Sequence, residues 1–388
     1  MTPGARVAAA AEIVDRIAAG AAVESALLAW SRGSRFAGSK DRRAVRDLVF
    51  GVVRRWWSSA WTGGGETGRA RLLGAMILDG VDPAQVFTGE GHAPEALTDA
   101  ERGATRDPSQ APDAVRADLQ PWVLDLLRAA HGADQALAIG AALRERAAVH
   151  LRVNLVRATP DQAIRALRAD GIETVPHPLA ATAIEVVRGA TQVARSLAFA
   201  SGMVELQDAA SQAVIEALGP LDGVRVLDFC AGGGGKSLAM AAKGARVVAH
   251  DIDPARMGDI PQRAARAGVG DRIALEAAPQ GRFELVLADA PCSGSGAWRR
   301  QPGAKLNLTP ERLAELNAMQ DRVIEDAAAR VAPGGRLAYA TCSLLDDENG
   351  ARIARFLERQ SGWEAVDTRL WTPLDGADGF FLAVLRRV

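Results

Sequence analysis

The second half of the chain alternates short apolar runs with helical segments, and this alternation restricts the possible folds most. From Leu221 onward, four runs predict strands: VRVLDF, ARVVAH, ELVLAD and RLAYAT. The segments KSLAMAAKG, PARMGDIPQRAARAG, TPERLAELNAMQDRVIEDAAARV and DENGARIARFLERQ predict the helices between and after them. Strands that alternate with helices form a parallel sheet covered by helices on both faces. We therefore predict a Rossmann-like α/β domain here.

The first half of the chain has a different texture. Apolar residues recur at helical spacing from Ala5 to about Val149, interrupted by a loop-like segment at 88–120. From His150 to Gly202 the runs LRVNLVR, IETVPH and AIEVV predict strands, and PDQAIRALRADG predicts a helix. A chain of 388 residues has room for several such domains. We predict three domains: an all-α domain at 1–145, a small α/β module at 146–215 and the Rossmann-like domain at 216–388.

Composition narrows the class of protein. No apolar run approaches the roughly 20 residues of a membrane span, and acidic residues within the N-terminal apolar stretch indicate a helix rather than a secretory signal. The three cysteines lack the paired spacing of a disulfide framework. We therefore expect a cytoplasmic protein that does not bind a membrane. The net charge is −1, but residues 1–57 carry ten basic and five acidic side chains.

The segment VRVLDFCAGGGGKSLAM is a predicted strand, a glycine-rich turn and a helix start. A glycine run alone is equally typical of a flexible βα turn. Here, however, Asp251 follows the next strand at about 20 residues, where an acid can bind ribose hydroxyls. The pattern is neither G-x-G-x-x-G nor a Walker A motif, which favours S-adenosylmethionine over a dinucleotide or ATP. The predicted cofactor-binding residues are Cys230, Ala231, Gly232, Gly233, Gly234, Gly235, Lys236 and Asp251.

All three cysteines directly follow predicted strands: Cys230, Cys292 and Cys342. Doubly wound sheets bind ligands at the carboxyl ends of their strands. A free cysteine in a core is ordinarily an inert small apolar side chain, and Cys230 keeps that interpretation. The residues around Cys292 and Cys342 indicate more.

Four motifs carry a family resemblance. DFCAGGGGK, DAPCSGSG, YATCS followed by Glu348 and Asn349, and LQDAASQ at Leu206–Gln212 resemble the Nol/Nop/Sun family of RNA cytosine-5 methyltransferases, in its Sun/Fmu branch of bacterial ribosomal enzymes. The resemblance covers the whole chain. It implies a NusB-like helical RNA-binding domain at the N-terminus and an S-adenosylmethionine-dependent catalytic domain at the C-terminus.

The resemblance also implies catalytic roles. Cytosine C5 is too weak a nucleophile to accept a methyl group until a thiolate has added to C6. In this family the cysteine of the TCS motif, here Cys342, is the nucleophile, and that of the PC motif, here Cys292, assists release. Asp289 is placed to bind the N3 edge of the base and to contact the cofactor. Because a free thiol has a pKa of about 8.5, we expect the site to lower the pKa of the nucleophile.

The basic residues after the PC motif, in WRRQPGAKL, are the predicted substrate contacts: Arg299, Arg300 and Lys305. We predict that the two arginines contact RNA phosphates, although they could equally be solvated surface charges. Glu348 likewise has two interpretations, a functional acid or an acid favoured by the dipole at a helix start.

The sequence departs from the family pattern at several positions. Gly232 and Gly233 stand where the family has Ala and Pro, which loosens the turn. In the family an acid near the adenine commonly follows the third strand; at that place the segment RIALEAAPQG offers only Glu276. Gly303 and Leu306 replace an acid and a tryptophan.

We therefore expect an RNA cytosine-5 methyltransferase of small-subunit ribosomal RNA that extrudes its target base and docks through its basic N-terminal helices. We expect a monomer and no metal, because the five histidines lack metal-ligand spacing. Transfer RNA remains an alternative substrate. A DNA cytosine-5 methyltransferase is a rival, although that class lacks the TCS cysteine. The rival from another class is a NusB-like RNA-binding factor with an inactive methyltransferase half.

Overall fold

The computed structural model describes all 388 residues, which form two compact units. The helical unit comprises Met1–Arg146 and Trp298–Asn307, and the sheet unit comprises Ala147–Ala297 and Leu308–Val388. The sequence analysis assigned the segment Trp298–Asn307 to the Rossmann-like domain, whereas the structure folds it with the N-terminal helices. No helix has the length and hydropathy that a membrane span requires.

Nine helices make up most of the helical unit: α1 (Pro3–Ala18), α2 (Val23–Gly33), α3 (Ser39–Arg54), α4 (Trp56–Gly63), α5 (Gly68–Leu78), α6 (Asp99–Ala104), α7 (Asp113–Arg116), α8 (Pro121–His131) and α9 (Ala133–Arg144). In α3, the residues Val45, Val49, Val52 and Val53 lie at three- and four-residue spacing and are completely buried. This apolar stripe is what makes an amphipathic helix pack into a core. The helical pattern of this region is interrupted at Arg55, which separates α3 from α4.

The sheet unit begins with a four-stranded antiparallel sheet. Its elements are β1 (Val149–Val153), α10 (Pro160–Ala169), β2 (Glu173–Pro176), β3 (Ala183–Arg188), α11 (Leu197–Ala200) and β4 (Val204–Leu206). The strand order is β2-β3-β1-β4. Leu151, Ile184 and Val204 are buried in the core of this sheet. The three predicted strands and the predicted helix of this region are confirmed.

The rest of the sheet unit is a seven-stranded sheet: β5 (Arg225–Asp228), β6 (Arg246–Ala249), β7 (Ile273–Leu275), β8 (Phe283–Asp289), β9 (Val331–Thr341), β10 (Trp363–Trp371) and β11 (Phe380–Arg387). Its helices are α12 (Ala209–Ala217), α13 (Gly235–Ala242), α14 (Ile260–Ala267), α15 (Pro310–Ala329) and α16 (Gly350–Arg359). The order is β10-β11-β9-β8-β5-β6-β7, with β5 to β9 parallel and the last two strands antiparallel. The predicted Rossmann-like fold is confirmed.

The strand order positions the candidate site. β8 lies between β5 and β9, so the carboxyl ends of these three strands are neighbours. Parallel pairing places Asp289 opposite Ala340, and the segments that follow β5, β8 and β9 carry the three cysteines. Three strands of this sheet, β7, β10 and β11, were not predicted. β11 is an almost fully buried run, FFLAVLRR, that pairs with β9.

Candidate active site

The glycine turn joins β5 to α13, and its backbone requires glycine at two positions. Gly232 and Gly234 have φ angles of +50° and +78°, a region that residues with a Cβ rarely adopt. A Cβ on Gly234 would also lie 2.5 Å from Cγ1 of Ile260. The turn therefore forms a bare backbone cradle at the start of a helix, which is an arrangement that suits a polar ligand.

Asp251 follows β6 and lies beside the glycine turn. Its Oδ2 accepts the backbone N–H of Gly232 at 2.9 Å, and its Oδ1 accepts that of Asp253 at 3.0 Å. The guanidinium of Arg256 lies 3.1 Å from the carboxylate. A carboxylate offers about four lone-pair sites, so these contacts leave capacity for a further donor. The structure thus places the predicted ribose acid next to the predicted cofactor turn, and the contact with ribose stays a prediction.

Lys236 connects the glycine turn to the end of β8. Its Nζ donates to Oδ2 of Asp289 at 2.7 Å and lies 4.7 Å from the ring centre of Phe380. Burial favours the neutral amine, but the charge of Asp289 and its hydrogen bond outweigh burial and raise the pKa of Lys236 above its ordinary value. An ion pair therefore links the predicted cofactor turn to the predicted catalytic motif.

The two predicted catalytic thiols are in contact. Sγ of Cys292 lies 3.4 Å from Sγ of Cys342, too far for a disulfide and close enough for a hydrogen bond. The hydrogen bond with Cys342, followed by burial, raises the pKa of Cys292 well above its usual value. Cys292 is therefore a thiol at neutral pH and can donate its proton toward the sulfur of Cys342. Burial also raises the pKa of Cys230, consistent with an inert thiol.

A buried carboxylate holds the two cysteine loops together. Glu348 is completely buried, and its Oε1 accepts the N–H of Ser293 at 2.7 Å and Nε2 of Gln320 at 3.0 Å. Its Oε2 accepts the hydroxyls of Ser293 and Ser343, both at 2.5 Å. These serines directly follow Cys292 and Cys342. Glu348 therefore fixes the segments that carry both thiols, a role that the sequence motif did not reveal.

Asp228, the last residue of β5, was not singled out by the sequence analysis. It is almost completely buried. Its Oδ2 accepts the hydroxyl of Ser237 at 2.5 Å, whereas its Oδ1 has no hydrogen-bond partner. Burial raises the pKa of Asp228 to about 7. An unpartnered oxygen at the start of the glycine turn indicates where a ligand with a donor group would fit.

The three predicted substrate residues belong to the helical unit. Arg299 is buried and Arg300 is exposed. Nζ of Lys305 donates to the backbone carbonyls of Arg54 and Asp118, at 2.6 and 3.1 Å. Burial lowers the pKa of Lys305 to about 8. Lys305 thus supports the packing of its own unit, and its contact with RNA stays a prediction.

Comparisons with known proteins agree with this geometry. Residues 215–386 match the family model described as 16S rRNA methyltransferase RsmB/F, and residues 120–193 match the RsmF/B-like ferredoxin-like domain. The ribosomal RNA small subunit methyltransferase B of Pectobacterium carotovorum is 30% identical over 89% of this chain and 90% of its own length.

Solved structures share the fold. A methyltransferase homolog protein from Pyrococcus horikoshii has a TM-score of 0.63 and 23% identity, over 73% of this chain and all of that one. NSun6 from the same organism, solved with SFG, has a TM-score of 0.62 and 16% identity, over 70% of this chain and 98% of that one. On the strength of the full-length relative and the family match, the chain belongs to the RsmB/F family of 16S rRNA methyltransferases.

Proposed function

We propose that the chain is an S-adenosylmethionine-dependent methyltransferase that modifies C5 of a cytosine in small-subunit ribosomal RNA through a covalent cysteine adduct. Family membership supports the reaction class and the RNA. The observation that carries the choice of C5 is the pair of sulfurs 3.4 Å apart at the ends of adjacent strands. Methylation at a nitrogen or oxygen atom has no need of two thiols, whereas attack on C6 and its reversal do.

The glycine turn and its surroundings fit the cofactor. The turn is a bare backbone cradle, and Asp251 lies beside it. Oδ1 of Asp228 has no hydrogen-bond partner and could bind a polar group of the cofactor. S-adenosylmethionine supplies an electrophilic methyl group when it is bound. Cys230 to Lys236, with Asp251 and Asp289, would hold it. Lys236 holds the Asp289 carboxylate in place through their 2.7 Å hydrogen bond.

Cys342 is the nucleophile in this proposal. Its thiolate adds to C6, which forms a carbon–sulfur bond and makes C5 an enamine-type nucleophile. Asp289 binds the N3 edge of the base and stabilises the adduct. Once C5 carries the methyl group, a base removes the C5 proton and the C6–sulfur bond breaks. The electrons of the C5–hydrogen bond restore the ring double bond, and Cys342 leaves as a thiolate.

Cys292 assists that last step. Its raised pKa keeps its proton on sulfur, and the 3.4 Å separation lets it donate to Cys342. A hydrogen bond to the departing sulfur stabilises the thiolate and speeds elimination. The buried Glu348 keeps the two thiols in register through the serines that follow them.

Two alanine variants test this assignment on one denaturing gel, with Ser361→Ala as the control. Cys342→Ala should abolish methyl transfer and leave no covalent RNA complex. Cys292→Ala should methylate C5 but fail to release, so that a slow-migrating protein–RNA band accumulates. Ser361→Ala, an exposed change in the turn before β10, should turn over and leave no band.

Other outcomes exclude the proposal. If Cys292→Ala forms no adduct and Cys342→Ala traps one, the roles are those of a DNA-type enzyme. Near-normal turnover in both variants means that the thiols are structural. Absence of methyl transfer by the wild-type protein on ribosomal RNA, despite cofactor binding in a calorimeter, would favour an RNA-binding factor.

A further inference from the structure

The antiparallel sheet brings together two histidines and an acid that come from different segments of the chain. β1 and β3 pair with His150 directly opposite Glu185, so their side chains share one face of the sheet. His177 continues β2, where Val175 pairs with Glu185, and alternation puts residues two apart on the same face. The potential ligand atoms of His150, His177 and Glu185, the histidine cluster, all lie within 4.8 Å of one another.

One nitrogen of His150 is buried without a partner. The side chain has no solvent exposure, and its Nδ1 lies 3.0 Å from Oδ2 of Asp208. The 3.0 Å contact with Asp208 favours a proton on Nδ1 over the longer, 3.3 Å contact of that nitrogen with the backbone N–H of Ala209, and Nε2 then keeps its lone pair. Nε2 has no hydrogen-bond partner, and Oε2 of Glu185 is 3.9 Å away, beyond hydrogen-bond distance. A buried lone pair of this kind requires an explanation.

One ring nitrogen of His177 lies within 4.8 Å of the ligand atoms of His150 and Glu185. Nε2 faces Gly376, whose backbone hydrogen bonds to the ring. Nδ1 therefore carries a lone pair, which accepts the N–H of Leu179 in a long hydrogen bond of 3.3 Å that a metal ion would have to replace. The rings of His150 and His177 meet edge to face, with centroids 4.8 Å apart.

We propose that His150, His177 and Glu185 bind one divalent transition-metal ion, with Zn²⁺ as the occupant we expect. Two imidazoles and a carboxylate are a known zinc-binding set, completed by a water or an exogenous ligand. Asp208 orients His150, and Gly376 orients His177, as carboxylates and carbonyls behind metal-binding histidines do.

The geometry needs only a small adjustment. Zinc bonds of about 2.0–2.2 Å separate tetrahedral ligand atoms by roughly 3.5 Å, so the atoms must approach by about 1 Å. Glu185 can move, because its side chain is 34% exposed. An ion there would fasten β1, β2 and β3 together and hold the Gly376 turn against them.

The test measures zinc binding to the full-length protein after removal of metal with a chelator. Titration calorimetry should detect one site per chain. Glu185→Gln and His177→Asn should each weaken binding about 10–100-fold. His92→Asn removes an exposed histidine of the helical unit and should leave the affinity unchanged. The double variant Cys292→Ala/Cys342→Ala removes the competing thiol pair and should also retain the site.

Co²⁺ absorption adds a readout of ligand type. Cobalt in the histidine cluster should give ligand-field bands without thiolate-to-cobalt charge transfer. The proposal is wrong if no stoichiometric zinc binds, if Glu185→Gln binds as tightly as the wild type, or if the double cysteine variant loses the site. Glu185 lies at the rim of the cluster, so Glu185→Gln, checked by circular dichroism, decides the question even if His177→Asn misfolds.

Discussion

Asp228 combines burial, an ionisable group and a missing hydrogen bond at one position. Ser237 satisfies one of its oxygens, and nothing satisfies the other. Burial without a counter-charge in hydrogen-bond contact penalises the anion, which is why the pKa rises to about 7. The folded protein consequently holds a proton on Asp228 that an unfolded chain would release above about pH 4.

This proton makes stability depend on pH. A folded-state pKa above the unfolded value gives a stabilising contribution that is complete below about pH 4 and is lost as the pH rises to about 7. In Asp228→Asn the amide oxygen can still accept from Ser237, and nothing titrates. Between about pH 4 and pH 7 we therefore expect the free energy of unfolding of the wild type to fall by up to about 4 kcal/mol relative to this variant. Above pH 7 we expect no further difference. Melting temperatures without cofactor measure the difference.

The control for Asp228 is Asp271→Asn, which neutralises an exposed acid of the same unit. Its melting curve should follow that of the wild type at every pH. Parallel pH profiles for Asp228→Asn and the wild type would show that Asp228 is already ionised in the folded protein.

Residue-level features were predictable where the chemistry is local and not where partners are distant in sequence. The motif letters around Cys292 and Cys342 indicated two thiols at one edge of a sheet, and parallel strands brought them within 3.4 Å. The histidine cluster escaped notice because His150 and Glu185 are adjacent only through the register of β1 and β3. No spacing along the chain contains that information.

At the scale of elements, the active site depends on how firmly two loops are joined. The segments after β8 and β9 begin at neighbouring strand ends, and Glu348 ties them together through Ser293 and Ser343. Tyr339 adds a second tie, since its hydroxyl donates to the carbonyl of Glu348 at 2.7 Å. A buried hydrogen-bond network centred on one carboxylate restricts the thiols to one arrangement.

Replacing Glu348 tests whether its hydrogen bonds position the two thiols. Glu348→Gln preserves the shape of the side chain but replaces one acceptor oxygen with an amide NH₂ group, which then faces hydrogen-bond donors. The serine hydroxyls can rotate to accept from this group, whereas the backbone N–H of Ser293 cannot reorient. We expect adduct formation to slow about 10–100-fold, because small displacements of reacting groups have effects of this size. The cofactor Kd should be unchanged, since the glycine turn is intact. Quenched-flow gels and calorimetry measure the two quantities.

Glu358→Gln, an exposed change on α16, is the control for Glu348 and should alter neither quantity. An equal loss of cofactor affinity and rate in Glu348→Gln would show a general structural defect instead of a positioning role. An unchanged rate of adduct formation would show that the position of the thiols does not depend on Glu348.

Elements themselves were predicted well where local pattern and tertiary role agree. Each of β5, β6, β8 and β9 is a short apolar run bounded by turn residues, and the structure contains all four. β4, β7, β10 and β11 were missed. The exposed residues of β10 give it no apolar signature, and β11 acquires its role only by pairing antiparallel with β9. A strand defined by its partner is not visible in a local window.

At the scale of the whole molecule, the chain does not divide where its sequence texture changes. The boundary at Arg146 follows the change from helical to mixed pattern, but Trp298–Asn307 belongs with the helical unit. Ten residues between a strand-end motif and α15 carry no pattern that signals another unit. Deleting residues 1–140 would therefore also strip this segment of its partners, so such a deletion cannot report on RNA docking alone.

Lys305 offers a cleaner way to separate packing from RNA contact. Its ammonium binds two buried backbone carbonyls of the helical unit, and Lys305→Met would leave both without that donor. We expect the helical unit to lose about 2 kcal/mol of stability, seen as a lower melting temperature, with the salt dependence of RNA binding unchanged. Lys40→Met, an exposed cation of the same unit, should not alter melting. If Lys305 instead neutralises a phosphate, its variant should melt normally and reduce the salt slope of binding by about one.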